Sequence, residues 1–167
     1  WRKELPVKKV LVCDPISDKG LENLRSADLV VDVKTGMKPE ELESCIADYN
    51  AVIVRSATKV RKPAIDKAEK LEVIARGGVG LDNIDVEYAK SKGIKVLNTP
   101  AASSVSVAEL TMGHMLSCAR FIGRATVGIK KGAWEKKKLK GIELSGKTLG
   151  LIGAGRIARE VAKRAIA

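Results

Sequence analysis

The sequence has few of the residues that would indicate several common protein classes. Aromatic residues make up 3% of the 167 residues, so a core has to be built from aliphatic side chains. No apolar run approaches the ~18 residues that a membrane helix requires, and the charged first residues have no apolar signal region behind them. We therefore expect a globular protein that contacts no membrane.

Cysteine and histidine are also scarce. Cys13, Cys45 and Cys118 are far apart in apolar runs, and the chain contains no CxxC pair and no Cys/His cluster. This pattern predicts buried free thiols in a reducing compartment and no metal site. The one histidine, His114, lies in a helical pattern, where a lone histidine is more often packed or solvated than catalytic.

Positive charge is concentrated in the second part of the chain. Residues 1–98 contain 18 Lys/Arg and 16 Asp/Glu, whereas residues 99–167 contain 13 and 4. A cluster lies between positions 120 and 140, formed by Lys130, Lys131, Lys136, Lys137, Lys138 and Lys140. Because no aromatic residues alternate with these lysines and no nucleic-acid motif is present, a solvated basic surface is favoured over a nucleic-acid surface.

Five short apolar runs alternate with helical patterns in the first part of the chain. The runs lie at 9–13, 29–33, 51–54, 73–75 and 94–97. Ser17 and Asp85 can cap helices, and Gly93 stands where a left-handed residue ends one. The alternation predicts an α/β, flavodoxin-like domain with a parallel sheet over residues 1–98. A phospho-receiver domain has the same alternation but needs an aspartate after the third strand, where this chain has Arg55.

A different pattern begins after Asn98-Thr99-Pro100. A long helical pattern from Ser103 to Ile122 predicts a connector between two domains. The apolar run Leu149–Ile152 predicts a strand, and it is followed by Gly-Ala-Gly-Arg-Ile-Ala and a further helical pattern. This order is typical of the dinucleotide-binding turn that opens a Rossmann domain. We therefore expect residues 99–167 to be the connector and the truncated start of such a domain.

Two loops at the carboxyl ends of predicted strands can bind anions. Arg55-Ser56 follows the third strand, where a guanidinium and a hydroxyl can bind a carboxylate or phosphate. The run 76–80, Arg-Gly-Gly-Val-Gly, follows the fourth strand, and its glycines could turn successive N–H groups toward one anion. For each loop alone, a surface ion pair or a plain tight turn is an equal alternative.

Five motifs in order resemble those of the D-2-hydroxyacid dehydrogenases. They are Val54 to Val60, Arg76 to Asp85, Asn98-Thr99-Pro100, Val107 to Leu110 and Gly146 to Gly150, with Trp134 to Lys137 extending the match. The resemblance covers nearly the whole chain and is greatest to the D-3-phosphoglycerate dehydrogenase branch. It implies a cytoplasmic, NAD-dependent oxidoreductase that converts 3-phosphoglycerate to 3-phosphohydroxypyruvate in serine biosynthesis.

The resemblance also implies the residues of the site. For the substrate they are Arg55 and Ser56 at the phosphate, the backbone of Gly77, Gly78 and Val79 at the carboxylate, and Arg76 close by. For the cofactor they are Val79 near the nicotinamide, and Gly153, Gly155, Arg156 and Ile157 around the pyrophosphate. The family dimerises partly through the connector helix, so the resemblance implies a homo-oligomer.

The resemblance implies that the catalytic Arg and the Glu–His pair lie beyond residue 167, and His114 does not match that histidine. We therefore assign no catalytic residue and expect the 167-residue chain alone to be inactive. NADP is not excluded, since the acidic residue that binds the adenosine ribose also lies downstream. The alternatives are another D-2-hydroxyacid dehydrogenase of the glyoxylate or hydroxypyruvate type, a non-catalytic NAD-sensing protein on the same scaffold, or a fragment retained for its fold alone.

Overall fold

A computed structural model describes residues 7–166, which divide into two compact units at Pro100. The first unit contains a five-stranded sheet with flanking helices. Its strands are β1 (Lys9–Val12), β2 (Val30–Val33), β3 (Ala51–Val54), β4 (Val73–Arg76) and β5 (Lys95–Asn98). Its helices are α1 (Asp18–Arg25), α2 (Pro39–Cys45), a 3-10 helix (Ile46–Asp48), α3 (Lys62–Asp66) and α4 (Val86–Ser91).

All strand pairs are parallel, and the strand order is β2-β1-β3-β4-β5. This is the flavodoxin-like order of doubly wound sheets, so the predicted fold class is confirmed. The core is aliphatic, with Leu11, Val52 and Ile74 of the three inner strands fully buried. Burial is continuous in β1, where Val10, Leu11 and Val12 are all buried, as expected for a parallel strand covered by helices, whereas buried and half-buried residues alternate in β3.

The predicted helix ends of the first unit are partly confirmed. The Ser17 side chain accepts a hydrogen bond from the N–H of Gly20, and Gly93 has a φ of +77° after α4. Asp85 precedes α4 but makes no side-chain capping bond. Its carboxylate instead accepts hydrogen bonds from the Arg61 guanidinium and the Lys62 N–H, both at 2.8 Å. Asp85 therefore links α3 to the start of α4, a role that its position in the sequence does not reveal.

The second unit consists of helices. They are α5 (Ser104–Arg120), α6 (Ile122–Lys130), a 3-10 helix (Lys136–Lys138) and α7 (Arg156–Ile166). The predicted connector helix is shorter than expected, because Phe121 adopts a left-handed φ of +56° and separates α5 from α6. Helix α7 packs against α5, where Ala108 and Val161 are buried.

The strand predicted at Leu149–Ile152 is wrong for this chain. These residues have no strand assignment, and Ile152 is fully exposed. A parallel strand is held by ladder hydrogen bonds to a neighbouring strand, and within residues 7–166 no segment pairs with this one. The run is apolar enough for a buried strand, but an apolar pattern does not supply the partner.

Candidate active site

The register of the sheet brings three strand ends together in the first unit. Val54, at the end of β3, pairs with Arg76 of β4, and Arg76 pairs with Asn98 of β5. The loops that leave these strands therefore lie side by side at the carboxyl edge, where open α/β sheets bind ligands. This edge carries both loops that the sequence singled out. The Arg76 Nε donates a hydrogen bond to the carbonyl oxygen of Arg55 at 3.2 Å.

Arg55 and Ser56 are exposed at this edge. The Arg55 side chain lies over Gly77, since a Cβ on that glycine would be 3.4 Å from the Arg55 Cγ. Its guanidinium makes one hydrogen bond within the described residues, to the Pro15 carbonyl oxygen at 3.3 Å. Most of the donors of Arg55 are therefore free to bind an anion, as the sequence predicts for this residue.

Arg76 has a different role from Arg55. Its side chain is only 12% exposed and lies 3.9 Å from an Asp82 carboxylate oxygen. Besides the Arg55 carbonyl, it donates a hydrogen bond to the Gly80 carbonyl oxygen. The guanidinium thus links the start of its own loop to the loop after β3. Arg76 stabilises the geometry of the site instead of presenting an open anion-binding group.

The glycine loop differs from the expected row of free N–H groups. The Gly77 N–H donates to the Val54 carbonyl at 2.8 Å, and the Gly78 N–H donates to the Arg76 carbonyl at 2.9 Å. Among residues 7–166, the N–H groups of Val79 and Gly80 have no acceptor. The free donors of the loop are therefore at Val79, which was among the expected residues, and at Gly80, whereas the N–H groups of Gly77 and Gly78 are already bonded.

The need for glycine at positions 77, 78 and 80 follows from close contacts with neighbouring side chains and not from an unusual backbone conformation. Gly77, Gly78 and Gly80 are not among the residues with positive φ. A Cβ on Gly78 would lie 3.3 Å from the Arg76 guanidinium, and one on Gly80 would lie 3.0 Å from Asp82 and 3.2 Å from Arg76. The loop is glycine-rich because the Arg76 side chain folds back across it.

Sequence reasoning missed the polar groups, mostly side chains, that hold these loops in place. The Asn98 amide donates to the Val79 carbonyl at 2.7 Å, and the Thr99 N–H donates to the Gly78 carbonyl at 3.0 Å. Asp14 and Asn83, each 3% exposed, make hydrogen bonds with the backbone of Arg55 in the loop after β3. The sequence could have indicated Asp14 and Asn98 by their position, because both stand at the ends of strands whose carboxyl ends share one edge of the sheet.

In the second unit, the predicted cofactor turn has the expected local geometry. Gly153 has a φ of +93°, a conformation that favours glycine, and α7 begins at Arg156. No atom lies within 4 Å of a Cβ built on Gly153 or Gly155. Gly153, Gly155, Arg156 and Ile157 are all exposed. The turn and the first N–H groups of α7 thus fit a pyrophosphate, which helix N-termini bind readily.

The sequence also singled out one histidine and three cysteines. His114 is exposed on α5, and among residues 7–166 no group of His, Cys, Asp or Glu side chains could hold a metal ion. All three cysteines are free, but only Cys13 is fully buried, while Cys45 is half-buried and Cys118 is exposed. The prediction of three buried thiols is therefore wrong for Cys118. Within the described part of the chain, no helix is long and apolar enough to cross a membrane.

Comparison with known proteins gives a consistent result. Residues 10–166 match the family model of the D-isomer specific 2-hydroxyacid dehydrogenase catalytic domain. The chain is 55% identical over 157 residues to D-3-phosphoglycerate dehydrogenase of Methanocaldococcus jannaschii, covering 94% of this chain and 30% of that protein. It is 54% identical over 159 residues to hydroxypyruvate reductase of Thermotoga maritima, covering 95% of this chain and 52% of that protein.

Solved structures agree with the sequence comparison. The crystal structure of NAD+-bound 3-phosphoglycerate dehydrogenase of Entamoeba histolytica superposes with a TM-score of 0.76 at 33% identity, covering 96% of this chain and 51% of that one. The chain thus spans between about a third and a half of the length of these relatives. The match extends over both compact units, and the chain belongs to the D-isomer specific 2-hydroxyacid dehydrogenase family.

Proposed function

We propose that the full-length protein is an NAD-dependent dehydrogenase that oxidises D-3-phosphoglycerate to 3-phosphohydroxypyruvate. The observation that carries this proposal is the exposed Arg55 side chain, which lies over Gly77 and makes one guanidinium hydrogen bond within residues 7–166, together with the N–H groups of Val79 and Gly80, which have no acceptor there. An anionic substrate with two charged ends can use both sets of donors. The identity to D-3-phosphoglycerate dehydrogenase of M. jannaschii supports the same substrate.

The two sets of donors suit different anions. The Arg55 fork can bind a phosphate through two parallel N–H donors, and the Ser56 hydroxyl stands next to it. The N–H groups of Val79 and Gly80 suit the smaller carboxylate, while Arg76 and the Asn98 amide hold their loop in place. We assign Gly77 and Gly78 to this loop as spacers, because their own N–H groups are already bonded. Binding both ends fixes the C2 hydrogen of the substrate in one direction, which favours stereospecific transfer.

For the cofactor, we propose that Gly153, Gly155, Arg156 and Ile157 hold the pyrophosphate of NAD. NAD accepts the hydride from C2 of the substrate when it is bound. Gly153 provides the left-handed turn, and α7 provides free N–H groups at the positive end of an 11-residue helix. The resemblance also gives Val79 a contact with the nicotinamide, and its side chain is exposed.

The remaining features of the proposal concern the whole protein. Hydride transfer needs a general acid/base and a positive group at the reacting oxygen, and we assign neither role to a residue of this chain. We therefore propose that the 167-residue chain alone does not reduce NAD. We also propose a cytoplasmic homo-oligomer, with the free thiols Cys13, Cys45 and Cys118 consistent with a reducing compartment.

Substrate binding to the full-length protein tests the phosphate assignment. Calorimetry would compare D-3-phosphoglycerate with D-glycerate for the natural protein, Arg55→Ala and Lys59→Ala. Lys59 is the matched control, because it is an exposed cation on the same loop. Loss of a charge-assisted hydrogen bond costs about 1.5–3 kcal/mol, so Arg55→Ala should weaken 3-phosphoglycerate binding by roughly 10- to 100-fold. D-glycerate binding should change less than about twofold under the same reasoning.

Two results would contradict the phosphate assignment. One is equal binding of the phosphorylated and unphosphorylated acids by the natural protein. The other is an equal loss for Arg55→Ala and Lys59→Ala, which would indicate general attraction by positive charge.

A second candidate is reduction of hydroxypyruvate, favoured by the 54% identity to hydroxypyruvate reductase of T. maritima. Hydroxypyruvate has the carboxylate but no phosphate, so it would use the N–H groups of Val79 and Gly80 without Arg55. A kcat/KM for hydroxypyruvate at or above that for 3-phosphohydroxypyruvate, and insensitive to Arg55→Ala, would favour this second function.

A further inference from the structure

A buried polar network lies beneath the loop that carries Arg55 and Ser56. Asp14 directly follows β1 and is 3% exposed, and Thr58 is 8% exposed. One oxygen of the Asp14 carboxylate accepts hydrogen bonds from the backbone N–H groups of Arg55 at 2.5 Å and of Thr58 at 3.2 Å. The other oxygen accepts a hydrogen bond from the Thr58 hydroxyl at 2.8 Å. A single buried carboxylate thus holds both ends of the segment 55–58, of which Arg55, Ser56 and Ala57 are exposed.

Asn83 completes the network from the loop that precedes α4. Its amide nitrogen donates hydrogen bonds to the carbonyl oxygens of Arg55 at 2.8 Å and of Thr58 at 2.7 Å. The same two residues therefore have their N–H groups bound to Asp14 and their carbonyl groups bound to Asn83. The Asn83 amide oxygen is buried and has no partner within residues 7–166. The opposite orientation of this amide would place its oxygen against two carbonyl oxygens, so the amide has to face the loop.

The network also sets the direction of the Arg55 side chain. The Arg55 guanidinium donates to the carbonyl oxygen of Pro15, the residue next to Asp14. The backbone of Arg55 and its charged end are thus both attached to the segment that leaves β1. Between the two fixed ends, only Arg55, Ser56 and Ala57 are exposed.

We propose that Asp14 and Asn83 are positioning residues for the phosphate subsite, and that they determine selectivity for a phosphorylated over an unphosphorylated hydroxy acid. This proposal rests on the proposed function, because it takes the Arg55-Ser56 loop as the phosphate-binding element. The physical reason is preorganisation. A loop held by four main-chain hydrogen bonds does not lose further freedom when a ligand binds, so more of the interaction energy appears as affinity.

A merely structural role predicts a different outcome. If the network served only the stability of the sheet, its loss would lower thermal stability and would weaken both acids equally or not at all. If it positions Arg55, its loss changes the ratio of the two affinities. The carboxylate end of the substrate is held by another loop, which Asp14 does not contact through any hydrogen bond in the described residues.

Thr58 allows a matched pair of variants in the full-length protein. Thr58→Val has nearly the same shape but removes the hydroxyl that donates to Asp14 and leaves the Thr58 N–H in place, whereas Thr58→Ser keeps the hydroxyl. Calorimetry would measure D-3-phosphoglycerate and D-glycerate binding, with Arg55→Ala in the same series and melting temperature recorded separately. Loss of a hydrogen bond to a charged group changes an equilibrium constant by about tenfold. We expect Thr58→Val to weaken 3-phosphoglycerate about tenfold and D-glycerate less than about twofold, and we expect Thr58→Ser to restore the natural ratio.

The outcomes separate the two proposals. If Arg55→Ala leaves the ratio of affinities unchanged, the phosphate assignment fails, and the positioning proposal fails with it. If Arg55→Ala reduces the ratio but Thr58→Val does not, only the positioning proposal is overturned. A second variant, Asp14→Asn, keeps the size of the side chain and removes its charge. It should shift the ratio in the same direction as Thr58→Val, and an unchanged ratio would count against the role of Asp14.

Discussion

Replacing Gly141 by alanine should destabilise the second unit. Gly141 follows the lysine-rich segment and lies against the last turn of α5. A Cβ on Gly141 would overlap the carbonyl oxygen of Ala119 and lie 3.0 Å from the Cα of Arg120. The adjacent N–H of Ile142 donates a hydrogen bond to that same carbonyl at 3.0 Å. The neighbouring atoms are backbone, so they cannot move aside as a side chain would.

The magnitude follows from two contributions. Carbon atoms prefer separations of about 3.5–4.0 Å, so the segment has to move outward by roughly 0.5–1 Å. Such overpacking costs about 1–3 kcal/mol. Loss or lengthening of the Ile142 hydrogen bond adds about 0.5–1.5 kcal/mol. The free energy of unfolding of the second unit should therefore fall by about 1.5–4.5 kcal/mol.

Urea unfolding followed by circular dichroism measures this change, because the second unit contains the long helix α5. The matched control is Gly113→Ala, since Gly113 lies inside α5 and a Cβ there would meet no atom within 4 Å. That control should be stabilising by up to about 1 kcal/mol, from the higher helix propensity of alanine. Equal stability of Gly141→Ala and Gly113→Ala would refute the argument from close approach.

Two further predictions concern ionisable groups. The Arg61 guanidinium first, and then the Lys62 N–H, lower the pKa of Asp85 against an opposing effect of burial. The ionised Asp85 therefore stabilises the fold above the unfolded-state pKa of about 3.9, and this contribution is lost as the pH falls through the lower folded-state pKa. The difference in free energy of unfolding between the natural protein and Asp85→Asn should shrink between pH 7 and pH 3. A difference that stays constant with pH would contradict this. Burial, followed by the charges of Asp14 and Cys45, raises the pKa of the Cys13 thiol to about 12. Iodoacetamide at pH 8 should therefore label the exposed Cys118 well before Cys13, as mass spectrometry would show, and the reverse order would exclude a protonated, buried thiol.

Periodicity in the sequence was sufficient for the fold of the first unit. Five apolar runs of three to five residues, separated by helical patterns, leave a parallel sheet as the arrangement that satisfies both burial and backbone hydrogen bonding. Strand ends were placed within about one residue, and Gly93 was correctly read as the left-handed end of α4. These features depend on residues close together in the chain, which is why the sequence contains them.

Periodicity failed where a distant partner decides the outcome. Leu149–Ile152 has the composition of a strand, but no segment of the described chain pairs with it. The long apolar pattern of the connector continues past Phe121, yet the helix ends there in a left-handed residue. Neither Gly nor Asn marks this break, so residue type offered no local signal for it.

The candidate site shows the same division. Sequence alone singled out Arg55-Ser56, the glycine run after β4 and the Gly153–Gly155 turn, because residue type and strand position are enough to indicate anion-binding loops. Only the tertiary structure shows that Arg55 is exposed, whereas Arg76 is bonded to carbonyl groups of the two loops. It also shows that, within residues 7–166, the N–H groups without an acceptor are those of Val79 and Gly80.

What the sequence determined by itself is the α/β class with a parallel, flavodoxin-like sheet, and the family. What only the tertiary structure decided is which polar groups remain available. Hydrogen bonds between residues tens of positions apart, such as those of Asp14 and Asn83 with the 55–58 loop, use up donors and acceptors that look free in the sequence. Each buried backbone group has to find a partner, and the identity of that partner follows from the packing of the whole sheet.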